Sequence, residues 1–132
     1  MTADDETSRM RLDVFLWRAR FFKARTAALV AQYAAYEPVA GYHVNGELTL
    51  GENVADLSGL AIAYKAYKLS LGGKAAPVID GLSGDQRFYL GWAQIWRGKD
   101  REAEAIRRLT VDPHSPPAVR GNGSLVNQAG FY

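Results

Sequence analysis

Two carboxylates one helical turn apart, Glu52 and Asp56 in the run LGENVADLSGL (residues 50–60), are the residues of this chain whose types and spacing first suggest chemistry. Like charges at i, i+4 repel, and burying either one unpaired is costly, so something positive should face them. A metal ion is one candidate for that partner. A plainer reading stays open, because acidic residues also favour the first turn of a helix, where the dipole welcomes them. The only histidines are His43 and His114. Their spacing fits no standard zinc signature, and each taken alone reads as a surface residue.

The elements that would position these residues are mostly helical. Residues 10–36, MRLDVFLWRARFFKARTAALVAQYAAY, repeat apolar side chains at three- and four-residue steps and predict one long helix or two short ones, ended by Pro38. Asn45-Gly46 within VAGYHVNGELTL signals a hairpin or turn near 41–50. Residues 51–71 predict a second helix stopped by Gly72-Gly73, which places Glu52 and Asp56 in its first turns. Residues 74–82 read as a loop with Pro77. Ser83 or Asp85 could cap a third helix whose Phe88, Leu90, Trp92, Ile95 and Trp96 are expected to be mostly core. A fourth helix is expected over about 100–109. From VDPHSPPAVRGNG onward, proline and glycine predict loop with short extended pieces.

The bulk composition sets limits. The chain has 132 residues, 48% hydrophobic and 23% charged, enough for one soluble domain with a modest core. A net charge of +2 is too small to imply a nucleic-acid partner for the whole chain, but residues 9–25 hold Arg9, Arg11, Arg18, Arg20, Lys23 and Arg25 against Asp13 alone. The absence of cysteine excludes disulfides and thiolate metal sites. No apolar run reaches the length of a membrane span, and the acidic start is not an export signal, so localisation is left open.

Three motifs in order, VNGELTLGENVADLSGLAIAYKAY, GDQRFYLGWAQIWR and DPHSPPAVRGNGSLVNQAGFY, closely resemble the C-terminal part of the neprilysin and endothelin-converting-enzyme family of zinc metallopeptidases, from about residue 24 to residue 132. The resemblance implies a helical partial catalytic domain, zinc as cofactor and a peptide substrate. It implies that Glu52 is a zinc ligand, that Asp56 orients a zinc-bound histidine, that His114 stabilises the oxyanion, and that Arg120, which binds substrate carbonyls, and Asn45, in the family's VNG turn, are substrate-binding. A glutamate on a helix can hold zinc at about 2.0–2.2 Å, and an aspartate one turn on can fix a histidine's tautomer. The family's HExxH, which supplies two zinc histidines and the glutamate that activates water, occurs nowhere in this sequence. Ser58 stands where the family usually has glycine. The expectation is a piece of the domain, inactive alone, lacking the family's N-terminal lobe and C-terminal tail and therefore open to self-association or to a partner chain. Family members are usually exported or membrane-anchored.

MRLDVFLWRARFFKAR also resembles the opening helices of the RNA-binding domain shared by ribosomal protein S-four and a ribosome-associated heat-shock protein. That resemblance implies phosphate contacts through Arg11, Arg18, Arg20, Lys23 and Arg25. It suggests a partition into a polar tail (1–9), a basic helical segment (10–26) and the peptidase-like remainder (27–132), joined in a chimeric reading frame. The two resemblances overlap over residues 26–50. A plain basic amphipathic helix is the alternative.

Overall fold

A computed structural model describes the backbone from Leu12 to Tyr132 and side chains from Lys23 onward. Five helices follow one another: α1 (Leu12–Ala34), α2 (Leu50–Ser70), α3 (Gly84–Ile95), α4 (Glu102–Val111) and α5 (Pro117–Leu125), then a 3₁₀ turn at Ala129–Phe131. The chain is mostly helical, as its periodicity predicts, and among the described residues two isolated bridges, Val39 with Tyr42 and Ile79 with Leu82, take the place of strands. The segment 41–50 is therefore a turn and not a hairpin. No helix among the described residues is long and apolar enough to cross a membrane.

Local signals explain most boundaries. Gly72 and Gly73, at φ of 56° and 79°, stop α2 in a left-handed conformation open to glycine. Ser83 caps α3, and its side chain and that of Gln86 exchange hydrogen bonds with each other's backbone N–H. α1 is continuous across residues 26 and 27.

Two apolar clusters form the core. Tyr33 of α1, Val44 of the turn, Leu109 of α4 and Val119 of α5 make the first, with Leu29 and Tyr36 against it. Leu60 of α2, Tyr89 of α3 and Leu125 of α5 make the second, with Tyr64, Phe88 and Trp92 against it. The helix α5 thus joins both, although proline and glycine had marked its sequence as loop. The prolines lead into the helix and start it, Pro117 being its first residue, where a missing N–H costs nothing. Gly121 and Gly123 lie where neighbours press close: a Cβ on Gly123 would come within 3.1 Å of the Tyr33 ring and one on Gly121 within 3.5 Å of Trp96. Packing overrides propensity here.

The third helix also departs from expectation. Tyr89 is buried, whereas Leu90 and Ile95 face outward, Ile95 at 67% exposure. Phe88, Trp92 and Trp96 recur every four residues on the inward face, and Leu90 and Ile95 fall off that stripe. Ile62 and Leu69 on α2, both more than two-thirds exposed, are likewise apolar side chains left uncovered among the described residues.

Gly46 shows how tightly the turn sits on α1, since a Cβ there would overlap the carbonyl oxygen of Val30. Gly59, mid-α2, has open space around it. Urea unfolding should show Gly46→Ala losing roughly 1–3 kcal/mol through overpacking, and Gly59→Ala gaining about 0.5–1 kcal/mol through helix propensity. Equal effects at the two positions would contradict this packing.

Candidate functional site

The carboxylate pair of α2 faces the loop and helix that follow α4. Arg120 of α5 reaches back to α2: its Nε donates to Asp56 Oδ2 at 2.6 Å and its Nη2 to Asp56 Oδ1 at 2.7 Å. The same Nη2 lies 3.8 Å from Glu52 Oε2. The guanidinium is stacked over the ring of Trp96, just past α3, with 4.1 Å to the ring centroid. The Asp56 side chain is 8% exposed and that of Arg120 14%, so this is a charge-assisted fork in a partly dry setting. The positive group that the sequence required opposite Glu52 and Asp56 is, among the described residues, Arg120.

Glu52 is held more loosely. Its Oε2 is 3.3 Å from His114 Nε2, and both side chains are about 40% exposed. His114 Nδ1 faces Asp112 Oδ1 at 2.8 Å, and the His114 backbone N–H donates to that oxygen at 2.9 Å. Asp112 Oδ2 accepts from Arg108 Nε at 2.8 Å. These donors, the His114 backbone N–H first, hold the Asp112 carboxyl down to about 2 from its ordinary 3.8.

A buried polar ladder fixes the loop. Ser115 Oγ donates to Asn53 Oδ1 at 2.8 Å, Asn53 Nδ2 donates to Thr49 Oγ1 at 3.0 Å, and Thr49 Oγ1 donates to the Asn45 carbonyl at 2.9 Å. Ser115 and Asn53 are almost wholly buried. The residue beside Glu52 is thus tied to the residue beside His114, so the two candidate side chains are positioned by their neighbours' hydrogen bonds.

Of the residues singled out in the sequence, Glu52, Asp56, His114 and Arg120 come together. Asn45 serves the turn, its Oδ1 accepting from Leu48 N–H at 3.0 Å. Both oxygens of Asp56 belong to Arg120. Lys23 and Arg25 lie on the exposed part of α1. The side chains of Arg11, Arg18 and Arg20 lie outside the described residues. Asp112, Asn53, Ser115 and Trp96 were not singled out for the site; only closeness in sequence to His114 or Glu52 and, for Trp96, a place in the second motif could have pointed to them.

The donor set does not by itself fit a resident zinc ion. Catalytic zinc needs three protein ligands. Glu52 is the one carboxylate here with no close fork or cap, an arginine stands 3.8 Å from it, and no group of three His, Asp or Glu side chains among the described residues is arranged to hold a metal.

The sequence model described as Peptidase family M13 matches residues 5–132. Neprilysin-1 of Caenorhabditis elegans is 42% identical, over 83% of this chain and 15% of its own length. Endothelin-converting enzyme 1 of Homo sapiens is 42% identical, over 83% of this chain and 14% of its own. The crystal structure of Mycobacterium tuberculosis zinc metalloprotease Zmp1 with an inhibitor superposes with a TM-score of 0.83 at 58% identity, covering 86% of this chain and 18% of that one. The chain therefore spans about 15% of the length of the curated relatives it matches. The family match runs through residues 10–26, and from Leu12, the first described residue, α1 continues unbroken past residue 26. Neither a separate RNA-binding start nor a chimeric join gains support.

Two measurements follow from this geometry. Arg120→Ala strands the Asp56 carboxylate inside and should cost about 3–5 kcal/mol in urea unfolding; a loss below 1 kcal/mol, the scale of an exposed pair, would contradict a structural fork. Because the folded-state pKa of Asp112 is depressed, its contribution is present above about pH 4 and is lost as pH falls through about 2. The stability gap between the wild type and Asp112→Asn should narrow by roughly 2 kcal/mol between about pH 5 and about pH 2, and a gap that stays constant would remove the assigned hydrogen bonds.

Proposed function

This chain belongs to peptidase family M13, and from that premise we propose that it is a piece of a zinc metallopeptidase catalytic domain which contributes one wall of the active site and does not hydrolyse peptides alone. The observation that carries this reading is the convergence of Glu52 and Asp56 on one helix with His114 and Arg120 from a distant segment. Glu52 is the side chain that would serve as one metal ligand, to be joined by donors from residues outside this sequence. When bound, zinc would supply the Lewis acidity of peptide hydrolysis. Around that site Arg120 and, once its ring is protonated, His114 would present donors to developing negative charge on a substrate oxygen. Asp56 anchors Arg120, and its carboxylate would also orient a zinc-bound histidine supplied from outside this sequence. The exposed faces of α2 and α3 around Ile62, Leu69, Leu90 and Ile95 are where the rest of such a domain, in the same or a partner chain, would pack.

Calorimetric titration with zinc on the wild type and on Glu52→Ala, with a peptide-hydrolysis assay in the presence and absence of chelator, tests the reading. Weak zinc binding that Glu52→Ala weakens further, with no turnover, is the expected result. Zinc binding indifferent to Glu52→Ala would remove Glu52 as a ligand. Chelator-sensitive turnover by the pure chain would show a complete site and overturn the proposal.

A further inference from the structure

We propose that Arg108, anchored by Asp100, is a positioning residue that sets the orientation and tautomer of His114 through Asp112. The inference rests on the site reading above, which gives His114 a substrate-facing role. Asp112 ends α4 as its C-cap, where the helix dipole disfavours an anion. Its carboxylate is nevertheless retained by a division of its two oxygens. Oδ2 accepts from Arg108 Nε at 2.8 Å. Oδ1 accepts from the His114 backbone N–H at 2.9 Å and faces ring Nδ1 at 2.8 Å. Arg108 is fixed in turn, its Nη1 donating to Asp100 Oδ2 at 3.1 Å. With both ends held, the carboxylate plane cannot turn about χ2, and its Oδ1 can only receive a hydrogen from Nδ1. Nε2 faces Glu52 Oε2 at 3.3 Å, a competing acceptor for the ring hydrogen, and the shorter 2.8 Å approach at Nδ1 gives that hydrogen to the Asp112 side. The distances thus run unbroken from a helix arginine to the open side of the site.

The neighbouring Arg107 supplies an internal control. It lies on the same helix with the same charge, but its guanidinium forks onto Glu104, with both bonds at 2.8 Å.

The test is the ring-nitrogen pattern of His114 in long-range proton–nitrogen NMR spectra of the full chain at alkaline pH, assigned against His43→Gln. The wild type should show the Nδ1–H tautomer. Arg108→Met should lose roughly half of that predominance, the ring drifting to the Nε2–H form that histidine prefers in water. Arg108→Lys should restore it in part, since an ammonium offers charge without the fork. Arg107→Met should match the wild type. Should Arg108→Met fail to fold by circular dichroism, Asp100→Asn, which only loosens the anchor, should give a smaller shift in the same direction. A wild-type pattern in Arg108→Met, or in Asp100→Asn where that variant stands in, or an equal change in Arg107→Met, overturns the proposal. The ring pattern is read without zinc or substrate, so its failure is separable from failure of the peptidase reading.

Discussion

The fork between Asp56 and Arg120 is the constraint from which the rest of the site follows. It joins α2 to α5 across 64 positions of sequence, and it does so with two parallel charge-assisted bonds whose planar geometry admits little rotation. Trp96 closes the third side by stacking beneath the guanidinium, which brings the end of α3 into the same junction. Three helices therefore meet on one cation. A lysine could satisfy the charge but not the fork or the stack, so the residue type at 120 is set by geometry as much as by sign.

Once α5 is held against α2, its small residues become intelligible. Gly121 accepts the Trp92 indole N–H at 3.2 Å through its carbonyl, and Gly123 accepts the Gln32 side-chain amide at 3.0 Å. Tyr33 sits with its hydroxyl 3.4 Å from Ser124. A helix this short would be marginal alone. It forms because α1, α2 and α3 each engage it, and the absence of side chains at 121 and 123 lets them come near. The same glycines weaken the local helical signal, which is why periodicity and propensity read this segment as loop. The information that makes it a helix lies in residues 33, 56 and 96, far along the chain.

The longer elements were legible because their signals are local. The Ser83–Gln86 pairing, the Gly72-Gly73 stop and the apolar stripes of α1 and α2 each lie within a few residues of the boundary they set. The candidate site was legible in part. Motif order singled out Glu52, Asp56, His114 and Arg120, but not how they share their partners. That sharing depends on Asp112, Asn53 and Ser115, which are unremarkable in sequence and acquire a role only when α4, α2 and the loop between α4 and α5 are brought together. The third helix gives the converse lesson. A dense aromatic run suggested that most of its large side chains lie in the core, while the fold buries one stripe and leaves Leu90 and Ile95 outside.

The two carboxylates that pose the first question in the sequence end in different states, and the difference is physical. Asp56, 8% exposed, has both oxygens committed to Arg120. Glu52, one turn earlier and 40% exposed, keeps only longer approaches from His114 and Arg120. The mutual repulsion of the pair is offset by one arginine, but unequally, because a guanidinium can present a full fork to only one carboxylate at a time. The shorter aspartate takes the fork and is spent on holding helices together. The longer glutamate stays at the surface, near a histidine whose far nitrogen is already engaged by Asp112. On the proposed reading, its shortfall of close partners would equip Glu52 to accept a cation brought to it, and the closeness of Arg120 would keep that cation weakly held without further donors.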